Sequence, residues 1–180
     1  RVLEKVYNAA SSKAGGGIKG RMFAWSAKQA RTFSVASEKT FGPGLFKKMR
    51  HGIADALVLK KIRSVLGPNL RYIVSGGAPL ATDLAHFYAG MGITLIQGYG
   101  LSETTGPIAV QHIGKNPVGG VGLPLPGNFI KIAKDGEILV RGQSVMPGYY
   151  HLPEQTAEVM PDGKWFHTGD LGSIDRKGQL

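Results

Sequence analysis

The pattern that most limits the fold lies between residues 70 and 97. An apolar run, Leu70–Val74, precedes the glycine-rich segment Ser75–Pro79, the helix-like segment Leu80–Met91 and a second apolar run, Ile93–Gln97. Two apolar runs on either side of one helix predict a βαβ crossover, with parallel strands and a right-handed connection. Ligands of such sheets bind beyond the carboxyl ends of the strands. We therefore expect an α/β fold with a crevice where both strands end.

The segment that follows the second strand has the composition of a ligand-binding loop. Between Gln97 and Gly106 it combines three glycines, an aromatic ring, three hydroxyls and one carboxylate. Glycines allow a ligand to approach the backbone, and Tyr99 offers a flat face. Glu103 beside a phosphate requires a bridging cation, so it is a candidate Mg²⁺ ligand. The hydroxyls that can bind phosphate oxygens are those of Ser102, Thr104 and Thr105. An ordinary turn is the alternative interpretation.

Two more segments, Gly136–Gly142 and Trp165–Asp170, complete a series of four motifs. In this order, over Leu70 to Asp170, the chain resembles the adenylate-forming (AMP-binding) superfamily. Within it, the chain is most similar to the long-chain-fatty-acid CoA ligases, which are acyl-CoA synthetases. The long-chain assignment depends on the general character of residues 1–67.

The resemblance implies a set of nucleotide-binding residues. The backbone of Gly76 and Gly77 would line the adenine, Tyr99 would stack on it, and Asp170 would accept hydrogen bonds from the ribose hydroxyls. The full cofactor-binding set is Gly76, Gly77, Ala78, Pro79, Gly98, Tyr99, Gly100 and Asp170. Two alternatives stay open: Gly76 and Gly77 form only a tight turn, or Asp170 only caps a turn.

The same resemblance implies Ser102 and Glu103 as catalytic residues. Ser102 would contact the α-phosphate, and Glu103 would hold Mg²⁺. In the implied reaction a fatty acid attacks ATP to give acyl-AMP, and the coenzyme A thiol then takes the acyl group. The sequence contains neither the Ser/Thr/Gly-rich phosphate loop ending in Lys-Gly nor the C-terminal domain with its catalytic Lys. We therefore expect an internal fragment of an N-terminal domain that is inactive alone.

The predicted organisation has two parts. Residues 1–111 form a partial α/β subdomain, in which a basic helical segment, 1–67, precedes the βαβ unit, 70–111. Residues 112–180 form a small, antiparallel, barrel-like subdomain with a hairpin whose turn is Lys134-Asp135-Gly136. The predicted helices are Arg1–Ala10, Gly20–Ala36, Leu45–Leu66 with an interruption near Gly52, and one starting at Leu152–Thr156; Ser11–Gly17 is a predicted flexible break.

Positive charge is concentrated in the first third of the chain. Residues 1–63 contain 14 Lys and Arg and three acidic residues, whereas the remaining 117 residues have a net charge of −1. Such a segment suits an anionic membrane surface or a phosphate-rich ligand such as coenzyme A. The absence of a nucleic-acid motif argues against nucleic acid as a partner. The basic helix Gly20–Ala36 fits a membrane surface or ordinary packing by its apolar side.

Composition restricts the location and the metal chemistry. The chain has no cysteine, and its five histidines lack ligand-like spacing, so disulfides and structural zinc are not expected. No window is apolar enough for a membrane span. We predict a cytoplasmic protein with a peripheral contact at the inner membrane surface. A sheet with few strands leaves edges open, which favours association into oligomers.

Other functions fit the same residues. One rival is a ligase that loads its acyl-adenylate onto a carrier protein, or that uses another acid. A second is a non-catalytic module that binds a nucleotide or acyl-CoA, and a third is a membrane-surface adaptor acting through the basic segment. A long-chain ligase has to bury its acyl chain, and the residues beside such a tunnel would be Gly98, Gly100 and Leu101.

Overall fold

A computed structural model describes residues 2–67, 69–113 and 117–180, so Arg1 lies outside the described residues. Six α-helices are present in these ranges. They are α1 (Val2–Ala14), α2 (Gly17–Ser37), α3 (Leu45–Ala54), α4 (Lys60–Leu66), α5 (Thr82–Gly90) and α6 (Pro153–Val159). The strands are β1 (Tyr72–Ser75), β2 (Thr94–Leu101), β3 (Gly106–Val110), β4 (Leu123–Pro124), β5 (Asn128–Ile132), β6 (Glu137–Gly142) and β7 (Phe166–Leu171).

The first four strands form one mixed sheet in the order β1-β2-β3-β4. Strand β3 is antiparallel to both β2 and β4, whereas β1 and β2 are joined through α5 as the predicted βαβ unit. Strand β2 is longer than expected. Residues 98–101, predicted to belong to a loop, are the second half of this strand because they pair with β3, which the sequence interpretation did not anticipate.

The other three strands form a separate antiparallel sheet in the order β5-β6-β7. Strands β5 and β6 are the predicted hairpin, with Phe129 opposite Arg141 and Ile132 opposite Ile138. Gly136 in the connecting turn has a φ of +93°, which glycine adopts without the steric cost of a Cβ atom. Together, the two sheets and the flanking helices confirm the predicted fold class.

The N-terminal helices depart from expectation in two places. Helix α1 continues to Ala14, so only Gly15 and Gly16 separate it from α2 and most of the predicted flexible break is helical. The interruption of the third predicted helix is a π-helical segment, Asp55–Leu59, and not Gly52, which lies within α3. Glycine is tolerated inside a helix at a cost of about 1 kcal/mol, whereas the extra residue of a π segment changes which side chains face inward.

An ion pair brackets the π segment. The Arg63 guanidinium on α4 binds both carboxylate oxygens of Asp55 and also donates to the Met91 carbonyl oxygen at 2.7 Å. The two-fold contact with Arg63 holds the pKa of Asp55 below its usual value. The π segment therefore begins at a residue bonded to α4, and the same arginine also binds the residue that follows α5.

Contacts group the chain into two compact units, each with its own core. Unit 1 comprises Arg1–Ile73, Leu80–Leu95 and Pro117–Gly119, and unit 2 comprises Val74–Pro79, Ile96–Asn116 and Gly120–Leu180. The core of unit 1 contains large side chains such as Phe23, Leu59, Phe87, Tyr88 and Met91, whereas that of unit 2 contains Ile108, Ile138 and Val140. The predicted division at residue 111 stays a prediction.

Helices α2 and α5 pack closely in unit 1. A Cβ atom at Gly90 would lie 1.9 Å from the Ala30 carbonyl oxygen, so glycine is required where the two backbones meet. Polar contacts also fix the α5 side chains: Tyr88 donates to the Leu3 carbonyl oxygen at 2.8 Å, and His86 Nδ1 lies 3.0 Å from the Ser34 hydroxyl. No helix among the described residues is both long and apolar enough to cross a membrane.

Candidate functional site

An open groove of about 730 Å³ in unit 2 brings together most of the predicted site residues. It lies where β1 and the following glycine turn meet the second half of β2 and the start of β3. Its lining consists of Val74, Ser75, Gly76, Gly77, Gly98, Tyr99, Gly100, Leu101, Ser102, Glu103, Gly106, Pro107 and Val110. Of the ten predicted site residues, Ala78, Pro79 and Asp170 are not part of this lining.

Glycine is required at different positions of the groove for different structural reasons. Gly77 has a φ of +76°, a conformation that side chains other than glycine rarely adopt. A Cβ atom at Gly76 would lie 3.3 Å from the Gly98 carbonyl oxygen, and one at Gly100 would lie 2.1 Å from that of Gly106. Gly100 is therefore required by the close approach of β2 and β3, independently of any ligand.

In the turn between β2 and β3, the three hydroxyls predicted to bind phosphate have different roles. The 3-10 segment Ser102–Thr104 forms this turn, and Thr104 is fully buried, accepting from the Leu101 N–H at 2.9 Å and donating to the Gly106 carbonyl oxygen at 2.7 Å. Thr105 donates to the Ser144 carbonyl oxygen at 2.9 Å. Both threonine hydroxyls thus stabilise the turn, and the exposed Ser102 is the one that lines the groove.

Glu103 is half-buried at the edge of the groove and is held by a residue that the sequence interpretation missed. The hydroxyl of Tyr149 donates to Glu103 Oε1 at 2.9 Å, and the Glu103 carbonyl oxygen accepts from the Met146 N–H at 2.7 Å. The hydrogen bond to Glu103 raises the pKa of Tyr149. The only signal of this contact in the sequence is an aromatic pair after Pro147-Gly148, just before a helix.

Tyr99 and Asp170, 71 positions apart, meet directly. The Tyr99 hydroxyl donates to Asp170 Oδ2 at 2.7 Å, while the half-buried ring packs against the core of unit 2. Burial and the neighbouring carboxylate hold the pKa of Tyr99 far above its usual value. The two residues predicted to bind the adenine and the ribose are therefore adjacent, and the carboxylate of Asp170 remains exposed.

Glu137 is a second residue that sequence reasoning did not identify. One carboxylate oxygen lies 2.8 Å from His167 Nδ1, and the other accepts from the Gly169 N–H at 2.8 Å. Because Gly169 immediately precedes Asp170, Glu137 fixes the end of β7 that presents Asp170. Glu137 lies within the motif Gly136–Gly142, but the sequence does not show that its side chain, unlike that of a charged residue on an exposed strand face, binds another segment.

Glu103 does not belong to a group of three or more metal-binding side chains in the part of the chain that the structure describes. Among residues 2–67, 69–113 and 117–180, no three His, Cys, Asp or Glu side chains cluster in a way that could hold a metal ion. A magnesium ion needs few protein ligands when it is bound to a nucleotide, since phosphates and water complete its octahedron. A single groove-lining carboxylate fits that requirement.

Comparison with known proteins identifies the family to which the chain is similar. The sequence profile of a family described as AMP-binding enzyme matches residues 23–150. The chain is 49% identical, over all 180 residues, to the long-chain-fatty-acid–CoA ligase FadD15 of Mycobacterium bovis. It spans only 30% of the length of that relative.

Solved structures give a similar result. One is o-succinylbenzoate CoA synthetase (MenE) of Bacillus subtilis bound to a product analogue, OSB-NCoA. It is 29% identical with a TM-score of 0.59, and the match covers 68% of this chain and 28% of that one. A structure of the same enzyme in complex with ATP and magnesium ion is 29% identical with a TM-score of 0.54, covering 67% and 29% of the two chains.

Proposed function

Because the chain belongs to the family of AMP-binding enzymes, we propose that it forms part of the adenylate site of an ATP-dependent long-chain-fatty-acid CoA ligase. The observation that carries the proposal is the groove lined by Gly76, Gly77, Tyr99, Ser102 and Glu103. Asp170 is bonded to the tyrosine of that groove. The acyl substrate is taken from the similarity to FadD15, and coenzyme A from the names of several relatives.

The proposed reaction has two steps. The fatty-acid carboxylate attacks the α-phosphorus of ATP, which releases pyrophosphate and leaves acyl-AMP. The coenzyme A thiol then attacks the acyl carbon and AMP departs. Bringing the reactants together and neutralising phosphate charge supply most of the catalysis in such a transfer.

The groove residues suit the nucleotide portion of this chemistry. Tyr99 offers one ring face to the adenine while its hydroxyl is held by Asp170. Asp170 is an exposed carboxylate, and an ionised carboxylate can only accept hydrogen bonds, as ribose hydroxyls require. Ser102 can donate to the α-phosphate, and the turn at Gly76 and Gly77 presents backbone instead of side chain to the adenine.

Glu103 is the residue that would hold Mg²⁺, together with phosphate oxygens and water. When bound, the ion would neutralise charge on the phosphates. None of the residues that line the described groove is Lys or Arg. The remaining positive charge for the transition state therefore has to come from elsewhere in the protein, and the relatives are more than three times as long as this chain.

We also propose that the protein is cytoplasmic and that its basic first third contacts an anionic membrane surface. The apolar side of α2, the helix for which the sequence left a membrane contact open, is buried at Phe23, Ala27 and Ala30. Helix α3 instead exposes Leu45, Phe46 and Met49 beside Lys47 and Lys48. An amphipathic basic helix of this kind binds anionic lipid through apolar burial and charge. Sedimentation with anionic vesicles should fall as salt rises, because charge is screened over about 8 Å at physiological ionic strength. Binding that ignores lipid charge and salt would contradict this contact.

Titration calorimetry with a non-hydrolysable acyl-adenylate analogue tests the nucleotide site. We expect Asp170→Ala to weaken binding about 10-fold, because the ribose loses a charged hydrogen-bond acceptor. Glu158→Ala, which removes an exposed carboxylate from α6, is the matched control and should bind like the wild type. Equal affinity of Asp170→Ala and wild type would remove Asp170 from the site.

Acceptor and chain-length assays on the full-length protein test the substrate class. Long-chain acids with coenzyme A should give the highest kcat/KM, since each buried CH₂ contributes about 0.8 kcal/mol. Transfer to a carrier protein but not to coenzyme A would favour an acyl-AMP ligase. Adenylate binding without pyrophosphate release in the full-length protein would favour a binding module.

A further inference from the structure

The contact between Tyr149 and Glu103 joins two segments that are 46 positions apart. Glu103 belongs to the turn between β2 and β3, and Tyr149 lies in the loop between β6 and α6. The phenol donates to one carboxylate oxygen, Oε1, at 2.9 Å. No described side chain is bonded to the other oxygen, Oε2. The carboxylate is therefore restrained on one side and open on the other.

Tyr149 is itself held in place by its backbone. Its N–H donates to Thr156 Oγ1 at 2.9 Å, and the Thr156 hydroxyl donates to the Leu152 carbonyl oxygen at 2.8 Å. A Cβ atom at the preceding residue, Gly148, would lie 2.7 Å from Thr156 Cγ2, so only glycine allows this approach. The first turns of α6 thus fix the position from which Tyr149 reaches Glu103.

Two further contacts fasten the Glu103 turn to the same loop. The Met146 N–H donates to the Glu103 carbonyl oxygen, and Thr105 donates to the Ser144 carbonyl oxygen. These backbone contacts would hold the turn without Tyr149. The phenol therefore acts on the direction of the carboxylate more than on the path of the chain.

We propose that Tyr149 is a positioning residue, which holds one oxygen of the Glu103 carboxylate and so would leave the second oxygen available to a nucleotide-bound Mg²⁺. This inference rests on the proposed function, because it takes Glu103 as the metal ligand. Groups that orient a metal ligand typically change metal affinity 10- to 100-fold when they are removed. The neighbouring Tyr150 cannot do the same, since it is 86% exposed and its ring packs against His151.

The test is the Mn²⁺ dependence of ATP binding to the full-length protein, with Mn²⁺ as a spectroscopic substitute for Mg²⁺. Tyr149→Phe keeps the ring and removes the hydroxyl, and Tyr150→Phe is the matched control. We expect Tyr149→Phe to raise the half-saturating Mn²⁺ concentration about 10-fold while metal-free AMP binding stays at the wild-type level. Tyr150→Phe should leave both quantities unchanged.

The variant Glu103→Gln tests the role of Glu103 as the metal ligand separately from the role of Tyr149. If it leaves the Mn²⁺ dependence unchanged, Glu103 is not the metal ligand and the proposed function of that residue fails. If Glu103→Gln weakens Mn²⁺ binding and Tyr149→Phe does not, the inference about Tyr149 alone is overturned. Equal losses of AMP and Mn²⁺ affinity in Tyr149→Phe would show a structural role and also overturn it. In the double variant, Tyr149→Phe should add nothing further, because the carboxylate it orients is already absent.

Discussion

The interiors of unit 1 and unit 2 are stabilised by different kinds of residue. Unit 1 buries large aromatic and aliphatic side chains between helices, and its core includes Phe87 and Tyr88, which are fully buried. Unit 2 has a smaller core, and its strands approach each other where glycine replaces a side chain, as at Gly100. The groove with the predicted nucleotide residues lies in unit 2. In this chain, the core of unit 1 and the proposed nucleotide groove of unit 2 are therefore built from different residue types.

The largest expected effect is the loss of a ring from the core of unit 1. Phe87→Ala should lower the free energy of unfolding by about 3–5 kcal/mol, because it leaves a cavity among Tyr7, Tyr88 and their neighbours. Unit 1 contains Trp25 and unit 2 contains Trp165, so denaturation can be followed in each unit with single-tryptophan variants. We expect the larger loss of unfolding free energy in the transition followed at Trp25. Equal losses at both would show that the two cores unfold as one.

The next effect tests the close approach of β2 and β3 at Gly100 in unit 2. Gly100→Ala should cost about 3 kcal/mol, because its Cβ atom would lie 2.1 Å from the Gly106 carbonyl oxygen and the backbone would have to shift. Gly98→Ala is the matched control, since its nearest neighbours lie at 3.4 Å, and it should cost less than about 1 kcal/mol. Denaturant unfolding followed at Trp165 measures both. Similar costs for the two variants would contradict this explanation of Gly100.

A third effect is a loss of stability of unit 1 at alkaline pH. Burial raises the pKa of Tyr88 to about 12, so the unfolded chain releases this proton near pH 10 and the folded chain does not. The stability is complete below pH 10 and falls as the pH rises towards 12, by about 2 kcal/mol. The slope should be shallower in Tyr88→Phe. An identical slope in denaturation curves between pH 10 and 12 would assign the loss to other groups.

The smallest effect concerns the ion pair that brackets the π segment. Because Arg63 lowers the pKa of Asp55, the contribution of this carboxylate is present above pH 4 and is lost as the pH falls below its folded-state pKa. The pair is partly exposed, so we expect Asp55→Asn to cost about 1 kcal/mol at pH 7 and progressively less as the pH falls below 4. Thermal unfolding across this range measures the difference. A cost that stays constant with pH would mean that the amide disturbs packing instead.

Much of the fold follows from local patterns. The strand, glycine turn, helix and strand of residues 70–97 predicted the βαβ unit, and Lys134-Asp135-Gly136 predicted the β5–β6 hairpin. These features depend on neighbouring residues, so periodicity and turn chemistry are sufficient to identify them. The extension of β2 through Gly98, Tyr99 and Gly100 was missed, because glycines are rare in strands and the pairing partner, β3, was not recognised.

What the sequence determined by itself is the order of its motifs, the family they indicate and the concentration of positive charge before residue 64. What only the tertiary structure decided is the partner of each polar side chain. It assigned the Thr104 hydroxyl to a turn, joined Tyr99 to Asp170, and set Tyr149 against Glu103. These contacts span up to 71 positions and depend on sheet register and on the packing of loops. Neither sheet register nor loop packing can be read from the spacing of residues along the chain, so the sequence alone could not identify these contacts.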